Sequence, residues 1–243
     1  MNTHILELAT QFIVLDAQYM LSYAQEVLDY AATLGKPITR LYISHYHPDH
    51  LLGAAAFSAP IYALPEVRAK IEAVGDRVAA EEHEKHGDLI PAHAERPSRP
   101  VTPGAEMIDG VRLEFLHLRH AETEAALVLG LPDQEILLTQ DLIYNKVHVF
   151  LGEKDFEGWA EALDNYQKLP YSRILPGHGA PGGAELFDAM REYLSVARGA
   201  LSHAADPADL KQRLIAAFPD FEGRVLLDHQ MRFLFLRANQ PSL

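Results

Sequence analysis

The stretch His45-Tyr46-His47-Pro48-Asp49-His50 places four potential metal ligands within six residues. It directly follows a predicted strand, Leu41-Tyr42-Ile43, and α/β folds place their functional sites at the carboxyl ends of strands. In an extended or turning segment, His45 and His47 point the same way, so Asp49 and His50 reach a second point nearby. This motif therefore suits two metal ions better than one. A chance cluster of surface histidines is the competing interpretation, and the scarcity of histidine disfavours it.

Three more candidate ligands each follow a predicted strand. They are His120 after residues 111–118, Asp141 after residues 135–139, and His178 after residues 173–175. A lone histidine after a strand is usually structural or exposed, but three such coincidences added to the motif favour a shared site at one edge of a sheet.

Strands and helices alternate along the chain, which indicates the α/β class. Residues 12–15 and 125–131 are predicted strands, and apolar residues at helical spacing predict helices that begin near Leu21, Pro65 and Phe156. Residues 87–104, rich in Pro, His and Arg, are expected to form an irregular loop or flap. With no visible linker, we expect one domain, with a metal-binding core at 1–182 and a C-terminal helical part at 183–243 packed on it.

Composition excludes several classes of protein. The 243 residues include no cysteine, so disulfides and thiolate metal sites are ruled out, and any metal depends on imidazole and carboxylate ligands. The formal net charge of −13, without a basic stripe, argues against nucleic acid as a partner. No apolar run approaches the roughly 20 residues of a membrane helix, and no signal peptide is visible. A cytoplasmic location is expected, with a processed periplasmic form as the alternative.

The ligand series resembles the metal-binding signature of the metallo-β-lactamase superfamily, from about Asn2 to Ala180. The resemblance implies a four-layer αββα sandwich with C-terminal helices. It also implies two metal ions, zinc first and manganese or ferrous iron as alternatives. One ion would bind to His45, His47 and His120; the other to Asp49, His50 and His178; Asp141 would bridge them.

The chain departs from the family pattern in three places. The residue before the bridging aspartate is commonly Gly, and here it is Gln140. The pair before the third histidine is commonly Pro-Gly, and here it is Leu118-Arg119. One or more strands commonly precede the position of Asn2. These differences affect the expected pocket mouth and sheet edge rather than the ligands.

A dinuclear site of this kind indicates hydrolysis. Two metals about 3.5–4 Å apart share a hydroxide, which would attack an ester, lactone, thioester, amide or phosphoester bond of a small molecule. Asp49 is expected to orient that hydroxide and to carry a proton to the leaving group.

Several side chains near the motif stay open to two interpretations. The spacing of Tyr144 after Asp141 is similar to that in homoserine-lactone-cleaving members, where the tyrosine contacts the substrate carbonyl; a packing aromatic is the alternative. His148 lines the pocket or, as the preferred interpretation, is solvated. His83, His86 and His93 are expected to face solvent.

Three alternative functions compete with a lactonase-like or esterase-like hydrolase. They are a β-lactam hydrolase of weak activity, a mononuclear iron sulfur dioxygenase and a non-catalytic scaffold. The intact ligand set favours the hydrolase over the sulfur dioxygenase and over the non-catalytic scaffold. The apolar C-terminal segments, including 224–227 and 233–236, are expected to pack on the core or to form a homodimer surface.

Overall fold

The computed structural model of the chain describes residues 1–235. Its elements alternate as the α/β class requires. The strands are β1 (His4–Glu7), β2 (Phe12–Leu15), β3 (Ile38–Tyr42), β4 (Ile61–Ala63), β5 (Arg99–Pro100), β6 (Gly104–Ile108), β7 (Val111–Arg119), β8 (Ala125–Leu131), β9 (Ile136–Tyr144) and β10 (Arg173–His178). The helices are α1 (Leu21–Thr33), α2 (Pro48–Leu51), α3 (Pro65–His86), α4 (Phe156–Tyr166), α5 (Glu185–His203), α6 (Pro207–Ala217) and α7 (Arg224–Leu234).

The described chain divides into two units. The first comprises residues 1–117 and 125–138, and the second comprises residues 118–124 and the chain from 139 onward. The expectation of a single domain stays a prediction.

The first unit contains a five-stranded sheet in the order β1-β2-β3-β4-β5. Strand β1 is antiparallel to β2, and β2 to β5 run parallel to one another. Every residue of β2 is buried, as expected for a strand covered on both faces. Because β2 and β3 are parallel, their carboxyl ends meet at one edge, where Asp16 and the HxHxDH motif follow.

Helix α3 of the first unit is the helix predicted to begin at Pro65. Val67 and Ile71 of its predicted apolar face are buried, whereas Val74 and Val78 are only half-buried. Proline at the first helical position fits the start, because its missing N–H has no partner to lose there.

The second five-stranded sheet has the order β10-β9-β8-β7-β6. Strands β7 and β9 each continue from the first unit into the second, because the unit boundaries fall at residues 117/118 and 138/139. Strand β9 is longer than predicted, and eight of its nine residues are buried, so Asp141 lies within the strand rather than after it. The predicted α/β sandwich class with C-terminal helices is confirmed.

The second unit contains α4 to α7 and a buried polar network. Gln230 of α7 accepts a hydrogen bond from the Leu151 amide at 2.7 Å and donates one to the Val149 carbonyl at 3.0 Å. His148 is fully buried, and its Nδ1 lies 3.1 Å from the hydroxyl of Tyr193. Burial lowers the pKa of His148 to about 4, with a smaller contribution from the charge of Arg224, so the imidazole is neutral at pH 7.

Three sequence-based expectations need correction. The loop predicted for 87–104 contains strand β5, which pairs with β4 in parallel, and strand β6 begins at its end. The preferred solvated position of His148 is wrong, because the side chain is fully buried. His83 is half-buried with its Nδ1 2.7 Å from the Ile90 carbonyl, whereas His86 and His93 are exposed as expected.

The expected C-terminal helices are present. Helix α7 covers all of 224–227 and the first two residues of 233–236. Leu236 lies outside the described residues. Among the helices of residues 1–235, none combines the length and the apolar character needed to cross a membrane.

We expect Gly53→Ala to destabilise the protein by about 1–3 kcal/mol, because a Cβ at Gly53 would lie 2.1 Å from the Ala17 carbonyl oxygen. The matched control is Gly199→Ala in the interior of α5, where a Cβ meets nothing within 4 Å and alanine is expected to stabilise the helix by up to about 1 kcal/mol. Urea denaturation midpoints measure both. Equal midpoints for the two variants would contradict the close packing at Gly53.

Candidate metal centre

In the first unit, Asp16 organises the HxHxDH motif from the end of β2. Its side chain is fully buried, and its backbone adopts the left-handed region with φ 65°. One carboxylate oxygen accepts a hydrogen bond from the Ser44 amide at 2.7 Å. The other accepts from the Ser44 hydroxyl at 2.7 Å and lies 2.7 Å from Nδ1 of His50. The Asp16 carboxylate therefore makes three hydrogen bonds, two with Ser44 and one with His50.

This network assigns the ring nitrogens of two histidines. With Asp16 ionised, the Nδ1–H of His50 donates to its carboxylate, which makes Nε2 the nitrogen with a lone pair. The single hydroxyl proton of Ser44 goes to Asp16, so the Ser44 oxygen accepts from Nδ1 of His45 at 2.9 Å. His45 thereby also offers Nε2. A carboxylate or hydroxyl behind the ring is the usual support of a metal-ligating histidine.

The other two motif residues lie close to these rings. The ring centroids of His45 are 4.7 Å from His47 and 4.2 Å from His50. His47 precedes α2 as its capping residue with extended backbone angles, and Pro48 begins the helix. The Asp49 carboxylate lies 3.6 Å from Nε2 of His50, and its side chain is 30% exposed while His50 is fully buried. The first unit thus brings all four motif ligands together, with Asp49 the one open to solvent.

A second carboxylate network flanks the motif. The Tyr19 hydroxyl donates to the carboxylate of Glu82, a buried residue of α3. Burial raises the pKa of Tyr19 well above its usual range, and the negative charges of Glu82 and Asp49 raise it further. Tyr19 therefore keeps its proton at neutral pH. Lys85 balances part of the charge through a 2.6 Å ion pair with Glu82.

The second unit contains a buried group made of Glu122, Asp141, Tyr144 and His178. The Tyr144 hydroxyl lies 2.6 Å from a Glu122 oxygen and 2.5 Å from an Asp141 oxygen. The Tyr144 and His178 rings stack at 4.5 Å, and Nε2 of His178 lies 3.3 Å from the Asp141 carboxylate. A Cβ at Gly177 would lie 1.9 Å from Asp141, so only glycine fits behind that carboxylate.

The charge of this group fits a divalent cation. Oxygens of Glu122 and Asp141 lie within 4.8 Å of each other in a buried setting, and the single hydroxyl proton of Tyr144 serves only one of them at a time. Buried carboxylates repel each other unless a cation or protons intervene. A metal ion held by carboxylate oxygens removes that repulsion, and Asp141 and His178 supply the oxygen and nitrogen donors that zinc prefers.

His120 lies in a different environment from the one predicted for a ligand. Its side chain is 65% exposed, and Nδ1 lies 3.4 Å from the carboxylate of Asp155, which caps α4. Its backbone is left-handed with φ 54°. Glu122, two residues along, is 3% exposed and contacts the Tyr144 hydroxyl that Asp141 shares. The second unit therefore gathers Glu122, Asp141 and His178 and directs His120 toward Asp155.

Asp16, Ser44 and Glu122 are among the residues of these networks that the sequence-based prediction did not include. Asp16 follows strand β2 just as other candidates follow their strands, so the same rule would have found it. Ser44 immediately precedes the motif. Glu122 is not a candidate in the sequence because the histidine pattern points to His120, two residues before it.

The chain is similar in sequence to known metallo-beta-lactamase superfamily proteins. The family model of the metallo-beta-lactamase superfamily matches residues 2–178 of the chain. Among curated relatives, the chain is 24% identical over 242 residues to a linear primary-alkylsulfatase of Pseudomonas sp., covering 83% of this chain and 45% of the alkylsulfatase. It is 22% identical over 168 residues to a metallo-beta-lactamase type 2 of Bacteroides fragilis, covering 67% of this chain and 62% of that protein. The chain therefore spans about half to two thirds of the length of these relatives.

A solved structure shares the fold. A metallo-beta-lactamase family protein of Thermus thermophilus superposes with a TM-score of 0.69 at 18% identity, over 96% of this chain and 86% of that protein. At this identity the likeness supports the fold alone.

We expect Asp16→Asn to weaken metal binding about 10- to 100-fold, the usual effect of removing the partner behind a ligating histidine. The amide nitrogen of asparagine is a donor, and it would face Ser44 and His50, which already donate to this position. The His50 ring would have to turn, or Ser44 would have to move. Competition titration against a chromophoric chelator measures the affinity. Asp29→Asn, an exposed change on α1, is the control. Wild-type affinity in a folded Asp16→Asn protein would contradict the role of this carboxylate.

Proposed function

Because the chain belongs to the metallo-beta-lactamase superfamily, we propose that it is a metal-dependent hydrolase that uses two divalent ions. The observation that carries the proposal is the Asp16 network, which engages Nδ1 of both His45 and His50 in hydrogen bonds, so that Nε2 would be the atom each ring offers to a metal. The Glu122–Asp141 pair, which favours a cation, supports the same proposal from the second unit.

We assign the ligands to two sites. Following the family pattern, we propose His45 and His47 with Glu122 and Asp141 as ligands of one ion, and Asp49, His50 and His178 as ligands of the other. This set replaces the predicted His120 by Glu122, because Glu122 is buried beside Asp141 and His120 is exposed. The predicted bridging role of Asp141 is kept as part of the proposal.

The donor atoms suit zinc best. Nitrogen and carboxylate oxygen without thiolate also accommodate manganese or ferrous iron. Two such ions, when bound, would lower the pKa of a bound water toward neutrality and would polarise the oxygen of the bond to be cleaved.

The side chains divide the remaining work. Asp49 is the partly exposed member of the motif, so its carboxylate is placed to orient the attacking water and to carry its proton to the leaving group. For Tyr144, the sequence leaves open contact with the substrate or a packing role. Because its hydroxyl already contacts Glu122 and Asp141 and its ring stacks on His178, we propose that it positions these ligands instead.

The substrate class is proposed as an ester in the broad sense, which includes carboxylic esters, lactones and thioesters. A sulfate ester is the second candidate, favoured by the alkylsulfatase relative that aligns with 83% of the chain. A panel of nitrophenyl esters, lactones, thioesters, primary alkyl sulfates and β-lactams, offered to metal-loaded protein, distinguishes these classes. Turnover of β-lactams alone would indicate a β-lactamase, and one iron per chain with oxygen uptake would indicate the dioxygenase.

The ligand assignment predicts different metal binding for the variants Glu122→Gln and His120→Gln. We expect Glu122→Gln to weaken metal binding by at least about tenfold, because it removes a charged donor from a buried pair. His120→Gln should keep the wild-type metal content, since the imidazole faces Asp155. Plasma mass spectrometry of desalted protein measures the metal per chain. Loss of metal in His120→Gln with retention in Glu122→Gln would restore the predicted histidine ligand.

We expect Asp49→Asn to lower kcat about 10²- to 10⁴-fold, the usual contribution of a positioned proton carrier. Much of the bound metal should remain, because the amide oxygen still offers a donor. Asp133→Asn, an exposed change in a turn, is the control. Metal content and turnover of the best substrate are measured on the same preparations. Unchanged turnover in Asp49→Asn would end this part of the proposal.

A further inference from the structure

Helix α1 of the first unit has a second apolar face beside its buried one. The buried face contains Ala24 and Ala31. The second face follows a spacing of four, three and four residues, and its members are Tyr23, Val27, Tyr30 and Leu34. At about 100° per residue these four positions fall within an arc of about 60° on the flank of the helix. We call them the α1 stripe.

The α1 stripe is exposed although it is apolar. Tyr23 is 48% exposed, Tyr30 59% and Leu34 40%, and Val27 is half-buried. Single exposed apolar residues are normal on a protein surface, but a contiguous patch of them usually marks an interaction site.

A groove of about 510 Å³ runs beside the α1 stripe. Its lining residues come from the first residues of the chain, the segment after β2 and α1, and they are Thr3, Ile5, Gln18, Tyr23, Glu26, Val27 and Tyr30. The Thr3 hydroxyl donates to the Asp16 carbonyl at 2.9 Å and accepts from the Gln18 side chain at 3.1 Å. Small-molecule sites use such polar groups to fix a ligand, and these are already engaged with each other. The groove therefore suits the apolar side chains of a protein partner better.

We propose that the α1 stripe and its groove form a homodimer interface in which the two α1 helices pack antiparallel. The shape of the patch supports a second copy as the partner, because the same surface has both a hollow and two projecting tyrosines. An isologous two-fold interface requires this, since each copy uses the same patch. The homodimer surface is thereby assigned to α1 rather than to the C-terminal segments, and the assignment does not depend on the proposed hydrolase activity.

The spacing of the α1 stripe gives the register of the dimer. A two-fold axis midway between Val27 and Tyr30 sets Val27 of one copy against Tyr30 of the second copy, and Tyr23 against Leu34. Each layer then joins one aromatic and one aliphatic side chain, so large and small residues alternate across the seam. The two Glu26 carboxylates in the groove walls are offset by five residues, about 7.5 Å along the helix, and do not face each other.

The interface is small, so the dimer is expected to be weak. The seven groove residues and Leu34 are fewer than the roughly 20–30 residues per side of a standard interface, and we expect a micromolar dissociation constant. Sedimentation velocity of the full chain over about 5 to 500 μM, in about 0.15 M salt to screen the acidic surfaces, measures it. The average mass of the wild type should rise from that of a monomer toward twice that value.

Two variants test the residues of the seam. Tyr30→Lys should weaken the dimer at least about tenfold, because it places an ammonium group against apolar side chains of the second copy. The variant is expected to fold, since the position is exposed and lysine is a good helix former. Val27→Glu should weaken the dimer in the same way. Met107→Lys, at an exposed methionine of β6 outside the α1 stripe, should dimerise as the wild type does.

A mixture of Tyr30→Lys and Val27→Glu proteins tests the register. In their heterodimer one layer keeps the wild-type pair, and the other sets the introduced lysine against the introduced glutamate. Native mass spectrometry resolves the two masses and should show more heterodimer than both homodimers together. A wild type that stays monomeric throughout the concentration range, a Tyr30→Lys protein that dimerises as strongly as the wild type, or a mixture without preference for the heterodimer would overturn the proposal.

Discussion

The carboxylate of Asp16 is the constraint on which the candidate site of the first unit depends. It is fully buried and accepts from the amide and the hydroxyl of Ser44 while it holds Nδ1 of His50. A buried charge of this kind is stable only when its oxygens are saturated with donors, so the three partners are fixed as firmly as the carboxylate itself. Since Ser44 also orients His45, one side chain at the end of β2 determines which nitrogen two histidines present.

In the second unit, two acidic side chains lie close to each other in the protein interior. The carboxylates of Glu122 and Asp141 are buried, and both contact the Tyr144 hydroxyl. Two carboxylates this close are costly in a protein interior, and a metal ion is the simplest remedy that also serves chemistry. We therefore propose that Asp16 supports ligating histidines from behind, whereas Glu122 and Asp141 act as ligands themselves.

The C-terminal part has a larger role than sequence patterns indicated. Its helices were expected to pack or to form a dimer surface, because their apolar spacing carries no chemical information. In the structure, the buried Gln230 side chain of α7 holds the loop at 149–151 by hydrogen bonds to the Leu151 amide and the Val149 carbonyl. A polar residue on a helix face looks like a solvent-facing position in sequence, and only its burial reveals that it fixes a distant loop.

Much of the architecture could be read from the chain itself. Strand β8 and the starts of α1, α3 and α4 lie where alternation and helical spacing predicted them, because such periods report directly on which side chains are buried. Strand β5, with two residues and a proline, gives no period, and its pairing with β4 comes from the tertiary structure alone.

The candidate site divides in the same way. The sequence by itself identified the four candidate ligands of the HxHxDH motif, because residues this close along the chain stay near one another whatever the rest of the protein does. Only the tertiary structure separates His120 from Glu122, which are two positions apart after the same strand. A left-handed backbone at His120 sends its imidazole toward Asp155 while Glu122 becomes buried against Tyr144. That choice depends on backbone geometry and on partners more than 20 residues away, which no local pattern encodes.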